Sequence, residues 1–279
     1  MQKITKPLLV SLVVIAVATY VYIMVQPGKL ALHNKSIDLL RGLMQTNAEL
    51  NADIVKIRQG ALKNYDSLEV NLRKLEQKVD QLKNGEGKIY KLGDSDIDEK
   101  LDKLAALIGN KGDQITTFKL HNGLMRNSLD YLPGALNDMY QEELKGENDE
   151  VLHRRIEDAL RFTIMYTIKG EEKWRRDALA HINWIRRVAV EKPRNLKLAL
   201  RSFSDHLEVV ITSSEKVNDL INTLSDYSTS NTENDLYRSY MNYYDRSLRQ
   251  GSPYTTVLYA LVLLLALYIA IRPLLKKED

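Results

Sequence analysis

The sequence predicts an all-α protein: two membrane-spanning helices flanking an elongated outer domain of long antiparallel helices in two stacked helical bundles. Three observations lead there. Two eighteen-residue runs, Leu8 to Val25 and Tyr254 to Ile271, carry no charge, and as helices each measures about 27 Å, close to the hydrocarbon thickness of a bilayer. Much of the chain between them repeats its apolar residues every three or four positions, the period of a helix burying one stripe. Only 13 glycines and 6 prolines punctuate 279 residues. No stretch sustains the alternation and β-branched enrichment of a strand.

The ends set the topology. Lys3 and Lys6 precede the first apolar run, while Arg272, Lys276 and Lys277 follow the second, so the positive-inside rule places both termini in the cytoplasm. The expected organisation is a cytoplasmic N-terminus at 1–7, a membrane helix at 8–25, an outer domain at 26–253, a second membrane helix at 254–271 and a short cytoplasmic tail at 272–279. In a Gram-negative organism this is an inner-membrane protein with its bulk in the periplasm. A cleaved signal peptide is the rival for the first run, with Ala16-Val17-Ala18 as its processing site. Cleavage there leaves TYVYIMV as a hydrophobic new terminus, and the run exceeds an ordinary signal-peptide core of about 7 to 15 residues. An uncleaved anchor is expected.

Charge and cysteine content exclude several classes. The formal net charge of +3 is accounted for by the two ends, and the stretch Gln26 to Pro253 balances 35 basic against 35 acidic residues. A nucleic-acid surface needs a concentrated basic patch, so no nucleic-acid partner is expected. The chain has no cysteine, which rules out disulfides, thiolate metal sites and cysteine nucleophiles.

Along the outer domain, Leu43, Leu50, Ile54, Ile57 and Ala61 form one stripe, and Leu68, Leu72, Leu75, Val79 and Leu82 another. The phase slips at GALKNYD, which admits either one long irregular helix or two helices meeting there. NGEG, Asn84 to Gly87, closes this unit, and Asp94, Ser95 or Asp96 can cap the next helix. The longest register follows: Ile97, Leu101, Leu104, Ile108, Lys111, Ile115, Phe118, Asn122, Met125, Leu129 and Leu132, with Pro133-Gly134 as its expected stop and Gly109 and Gly112 as possible interruptions. A short amphipathic piece spans Ala135 to Leu144. After the polar KGEND come helices near Val151 to Ile168 and Lys173 to Val190, then Pro193 in the first turn of another. That helix carries Leu200, Phe203, Leu207, Val210, Ser214, Val217, Ile221 and Leu224. STSNTEND, Ser228 to Asp235, reads as a polar passage, Leu236 to Leu248 as the last outer helix, and Gly251-Ser252-Pro253 as a helix breaker before the membrane.

The chain offers little enzymatic chemistry. It has no Gly-rich phosphate loop, no GxSxG turn and no HExxH. His33, His121, His153, His181 and His206 include no i, i+4 pair, and Asp94 and Asp96 are explained by capping. No enzyme, cofactor or metal site is expected. Trp174, Trp184, Arg175, Arg176, Arg186 and Arg187 make an aromatic and basic helix, read as packing anchors and a solvated charged face. The remaining candidates are polar residues at breaks in the stripes. Arg58, Tyr65 and Asp66 flank the phase slip, and Asn122, Arg126, Asn127 and Tyr131 lie near the end of the long third helix. They can line a cavity and orient an anionic or polar ligand through charge-assisted hydrogen bonds, or form a buried network that fixes helix register.

Two segments, IRQGALKNYDSL at Ile57 to Leu68 and LMRNSLDYLP at Leu124 to Pro133, resemble recurring patterns of the DAHL domain, the double all-helical ligand-binding sensor domain of bacterial signalling receptors. The resemblance covers roughly Lys29 to Gln250. It implies two stacked helical bundles outside the inner membrane and a sensing role, and places Arg58, Tyr65, Asp66, Arg126 and Asn127 within family motifs without assigning them a contact. In such receptors the second span leads to a cytoplasmic output module, whereas eight residues, Arg272 to Asp279, follow it here.

The functional expectation is a membrane-anchored sensor subunit of a two-component or similar system. Its expected partners are the lipid bilayer, an unknown periplasmic ligand or protein, a signalling partner such as a histidine kinase, and a second copy in a homodimer. The alternative is a membrane-anchored helical scaffold that binds protein partners through its outer helices.

Overall fold

The computed structural model describes the backbone of residues 2–144, 149–224 and 228–275, and the side chains of 30–141, 144, 149–224, 228–249, 259, 260 and 262–265. Its helices run in the order α1 (Gln2–Arg58), α2 (Asp66–Asn84), α3 (Ser95–Asp138), α4 (Glu150–Lys169), α5 (Glu172–Ala189), α6 (Arg194–Leu224) and α7 (Ser228–Leu275), with a π-helical turn at Met139–Glu143. Among the described residues there is no strand. The chain divides into two units. The first takes the residues up to Ala48, Asn71–Ile108 and α7; the second takes Glu49–Val70 and the chain from Gly109 through α6.

In the first unit, Leu39, Leu40 and Leu43 of α1, Leu75, Val79 and Leu82 of α2, Ile97, Leu101 and Leu104 of α3, and Leu236 and Tyr240 of α7 are buried. The apolar positions of each helix recur at three- and four-residue steps, so each presents one stripe inward. The connection after α2 passes close to α1. A Cβ on Gly87 would collide with Leu39 Cδ1, and Ser36 Oγ donates to the Gly87 carbonyl at 3.1 Å, so only glycine lets the loop come this near. Asp94 caps α3 by accepting from the Asp96 amide at 3.1 Å, as the sequence suggests, and is itself paired with Arg246 of α7 at 2.6 Å.

Two expectations about α7 are corrected. The polar stretch Ser228 to Asp235 is helical, forming the first turns of α7. Thr229, Thr232 and Glu233 are buried and continue the stripe of Leu236 and Tyr240, because α1 offers polar groups at that level: Asn47 Nδ2 donates to Glu233 Oε2 at 3.2 Å and to Ser230 Oγ at 3.4 Å. Gly251-Ser252-Pro253 does not break the helix, which continues to Leu275. A proline removes one backbone donor and crowds one carbonyl, and α7 carries both within a 48-residue helix. Among the described residues no helix is long and apolar enough to cross a membrane. The side chains of the expected span 8–25, and most of those of 254–271, lie outside the described residues.

The second unit is built on one continuous core. Met125 and Leu132 of α3, Leu152, Ile156, Ala159 and Tyr166 of α4, Ala178, Ile182, Ile185 and Ala189 of α5, and Leu196, Leu200, Phe203, Leu207 and Val210 of α6 pack together. Asp149 caps α4 by accepting from the Leu152 amide at 3.0 Å. The phase slip separates two helices, since α1 ends at Arg58 and α2 begins at Asp66. Pro133-Gly134 does not stop α3. The helix runs through Gly109, Gly112 and Pro133 to Asp138, held on both sides of the proline by Leu132 and Leu136 packed against the core. The π-helical turn then closes it, with the Leu144 amide donating to the Met139 carbonyl at 2.8 Å.

The polar members of the α3 stripe are buried as the register requires, Lys111 at 3% and Asn122 at 0% exposure. Lys111 Nζ donates to Asn51 Oδ1 at 2.8 Å. Trp174 and Trp184 pack against the core, while Arg175 pairs with Glu172 and Glu215, and Arg186 with Asp205 and Glu208. Anchors and a paired charged face are what the sequence predicts for α5.

Candidate functional site

Arg58 is the last residue of α1, and its side chain reaches α4 and α6. Its Nη2 donates to the Thr167 carbonyl at 2.9 Å, to Asn218 Oδ1 at 3.3 Å and to Ser214 Oγ at 3.5 Å. Thr167 lies in the last turn of α4, where unpaired carbonyls and the negative end of the helix dipole favour a cation. Gly170 makes this turn possible: its φ of 67° is left-handed, and its amide donates to the Tyr166 carbonyl at 2.8 Å. A residue with a Cβ is strained in that conformation.

The surroundings of Arg58 differ from those of the ion-paired arginines of the domain. Burial pushes its pKa below the ordinary arginine value, which still leaves the guanidinium charged. Arg175, Arg186 and Arg246 each face a carboxylate, whereas all three acceptors of Arg58 are neutral. Beside it opens a cleft of about 560 Å³ lined in part by Gln59, Lys169, Asn218, Ile221 and Asn222. The cleft has two cations, three amides and exposed aliphatic surface on its walls.

The other sequence candidates do not line this cleft. The Tyr65 hydroxyl accepts from Asn122 Nδ2 at 3.0 Å, fixing the α1–α2 connection against α3. Asp66 is exposed, lies in the acidic first turn of α2 and accepts from Asn64 Nδ2 at 3.2 Å. Arg126 is half-buried and Asn127 exposed. The Tyr131 hydroxyl is 3.3 Å from Ser202 Oγ, and its ring lies on His206 with centroids 4.1 Å apart. His206 Nδ1 is in turn 3.1 Å from Ser128 Oγ. Asn122 and Tyr131 are nine residues apart on α3, about 13.5 Å along its axis. Tyr65 and Tyr131 thus serve two separate inter-helix contacts rather than one cavity.

Sequence reasoning missed Thr167, Lys169, Asn218 and Asn222. Thr167 contributes a backbone carbonyl, which no residue type signals. Ser214 was the available clue, a hydroxyl inside an otherwise apolar stripe, and it sits on the same guanidinium nitrogen as Asn218, one turn further along α6.

The helical architecture and the two motif segments can be set beside known proteins. The DAHL domain matches residues 29–254. The chain belongs to the DAHL domain family. No curated protein and no solved structure matches it. The match makes the chain a member of a helical sensor-domain family. Within the DAHL domain the first motif segment spans the end of α1, the connection and the start of α2, while the second lies on α3. Arg58 and Tyr65 of the first segment play different parts, one at the cleft and one in packing.

Proposed function

We propose that this DAHL protein is a membrane-anchored periplasmic sensor subunit of a bacterial signal-transduction system, acting as a binding module without enzymatic activity. Ligand or partner binding to the helical domain favours one packing of its helices, and α1 and α7 carry the difference across the inner membrane to an output module, on a separate protein or on a continuation of this chain, such as a histidine kinase. The carrying observation is helix continuity: α1 runs unbroken from Gln2 to Arg58 and α7 from Ser228 to Leu275. Each helix therefore joins one uncharged run to the helical domain. On α7, Tyr259, Leu263, Leu264 and Leu265 are between 45% and 62% exposed, an apolar surface suited to lipid. A shift between packed helices is an established switching mode, and a ligand drives it only through its difference in affinity for the two states.

The absence of native cysteine makes the test direct. Single cysteines scanned through 26–33 of α1 and 244–251 of α7 should cross-link in a pattern that changes when ligand or partner is bound. A pattern indifferent to every occupant of the helical domain would sink the signalling reading.

A scaffold reading has one observation of its own. Leu120, Leu124 and Tyr131 are 58%, 44% and 44% exposed, and their spacing places them on one face of α3. Co-purification from detergent separates the two readings, since a stoichiometric kinase-like partner supports sensing and a large structural complex supports scaffolding.

A further inference from the structure

The geometry points to the Arg58 cleft as the binding site of a small organic anion, bearing a carboxylate or phosphate group and a short aliphatic part. This deepens the sensor reading and rests on it only for the consequence of binding, not for the site itself.

The first argument is charge. The guanidinium of Arg58 is partly desolvated and has only neutral acceptors, Thr167 O, Ser214 Oγ and Asn218 Oδ1. A second cation, Lys169, lines the same cleft, and among the described residues neither cation is paired with a carboxylate. The carboxyl end of α4 offsets only part of their charge, and two cations without a carboxylate partner on one concave surface raise the local concentration of anions. An anion entering there gains charge-assisted hydrogen bonds about twice as strong as neutral ones.

The second argument is the donor inventory. All three bonds of Arg58 leave from Nη2, so Nη1 and Nε are bonded to none of the described residues. Both parallel forks of a guanidinium use Nη2, and with that nitrogen held by the protein the remaining contact is single-point. Such a contact suits carboxylate and phosphate alike and does not select a planar bidentate partner. The side-chain amides of Gln59, Asn218 and Asn222 supply both donors and acceptors for the rest of a polar ligand.

The third argument is the apolar wall. Ile168 lines the cleft and is 69% exposed, and Ile221 also lines it. An exposed isoleucine beside two cations is covered when the ligand brings a few methylene groups. The volume of about 560 Å³ is in the range of small-molecule sites.

The test is calorimetric titration of the full-length chain in detergent with succinate, with inorganic phosphate, and with the neutral isostere succinamide. Saturable binding of succinate or phosphate, with none of succinamide, is expected. Succinate alone marks a carboxylate ligand, phosphate alone a phosphorylated one. Lys169→Gln, which removes no side-chain bond to any described residue, should weaken binding of the anion about tenfold, and Arg58→Gln should weaken it further. If Arg58→Gln unfolds the chain, the exposed Lys169→Gln variant decides. Failure of both anions to bind, or binding unchanged in Lys169→Gln and in any folded Arg58→Gln protein, overturns the inference. Anion binding that leaves the α1–α7 cross-links unaltered supports the site and counts against the signalling reading. A cross-link change driven by another occupant, with neither anion bound, keeps the signalling reading and sinks the site.

Discussion

The imidazole of His33 on α1 lies against the ring of Tyr244 on α7, with centroids 3.5 Å apart and planes 9° from parallel. Its Nδ1 is also 3.2 Å from the Tyr240 hydroxyl. Burial lowers the His33 pKa, with Asp245 opposing the shift. The sign follows from linkage. Above the ordinary histidine value of about 6.5 both folded and unfolded chains hold this ring neutral. As pH falls below that value, the unfolded chain takes up a proton that the folded one resists, so stability drops until the folded pKa is passed. Thermal midpoints of the wild type should fall between pH 7.5 and pH 5, and those of His33→Phe, which keeps a ring in the stack, should fall less. Equal slopes would show that His33 does not carry the dependence.

Tyr65 and Asn122 test whether the motif residues bind or brace. Asn122 is fully buried, and its Oδ1 bonds to no described residue, so the bond from Nδ2 to the Tyr65 hydroxyl is its visible side-chain link. Tyr65→Phe leaves a buried amide unpaired and should cost about 1–3 kcal/mol in urea unfolding. Combining it with Asn122→Leu removes both polar partners and should recover most of the loss. A double variant that is stable yet no longer binds the anion proposed for the Arg58 cleft would show that the pair does more than brace the connection.

The fold was legible where one period governed a long stretch. The α3 register from Ile97 to Leu132 is buried at every position except Leu129, which is partly buried, because a helix turning every 3.6 residues leaves few alternatives. Local breaker rules failed at Pro133 and at Gly251-Ser252-Pro253. Each predicts the cost of one position, whereas the surrounding helix is held by packing or by continuation on both sides. The site was half legible for a similar reason. Arg58 stood out as a cation at the edge of a stripe, but its partners come from α4 and α6, more than 100 positions away, and no local pattern ties them to it.

The second unit should depend on α6 more than on its exposed apolar residues. Phe203 is 1% exposed and belongs to the continuous core, whereas Leu120 is 58% exposed. Phe203→Ala should cost about 3–5 kcal/mol through lost burial and the cavity left behind. Leu120→Ala should change stability by about 0.5 kcal/mol or less. Denaturant midpoints measured at constant slope check both, and a large loss at Leu120 would mean that its face is covered in solution.

Gly87 and Leu39 should prove energetically coupled. A methyl group on Gly87 would occupy the space already filled by Leu39 Cδ1, so Gly87→Ala forces Leu39 from its buried position, an overpacking cost of about 1–3 kcal/mol. Leu39→Ala opens the space that the new methyl needs. The double variant should therefore be less destabilised than the two single changes added together, by about 0.5 kcal/mol or more in a double-mutant cycle. Simple additivity would place the loop further from α1 than this contact implies.

The transmission proposed for α7 depends on its backbone remaining helical past the last anchored side chains. Tyr243 donates to the Leu92 carbonyl at 3.1 Å and Arg246 pairs with Asp94 at 2.6 Å, fixing α7 to the connection before α3. Beyond them the helix passes Gly251-Ser252-Pro253 and reaches Leu275. A helix conveys rotation or translation only while its hydrogen-bond ladder resists bending, and Gly251 and Pro253 already weaken that resistance. Four glycines inserted after Gln250 add about 1 kcal/mol of helix cost each without touching the Tyr243 and Arg246 contacts. Thermal stability of the helical domain should change little, while occupant-dependent cross-linking at 262–265 of α7 should disappear. Persistence of that change in the insertion variant would show that the signal leaves through α1 or through a membrane partner, not along the backbone of α7.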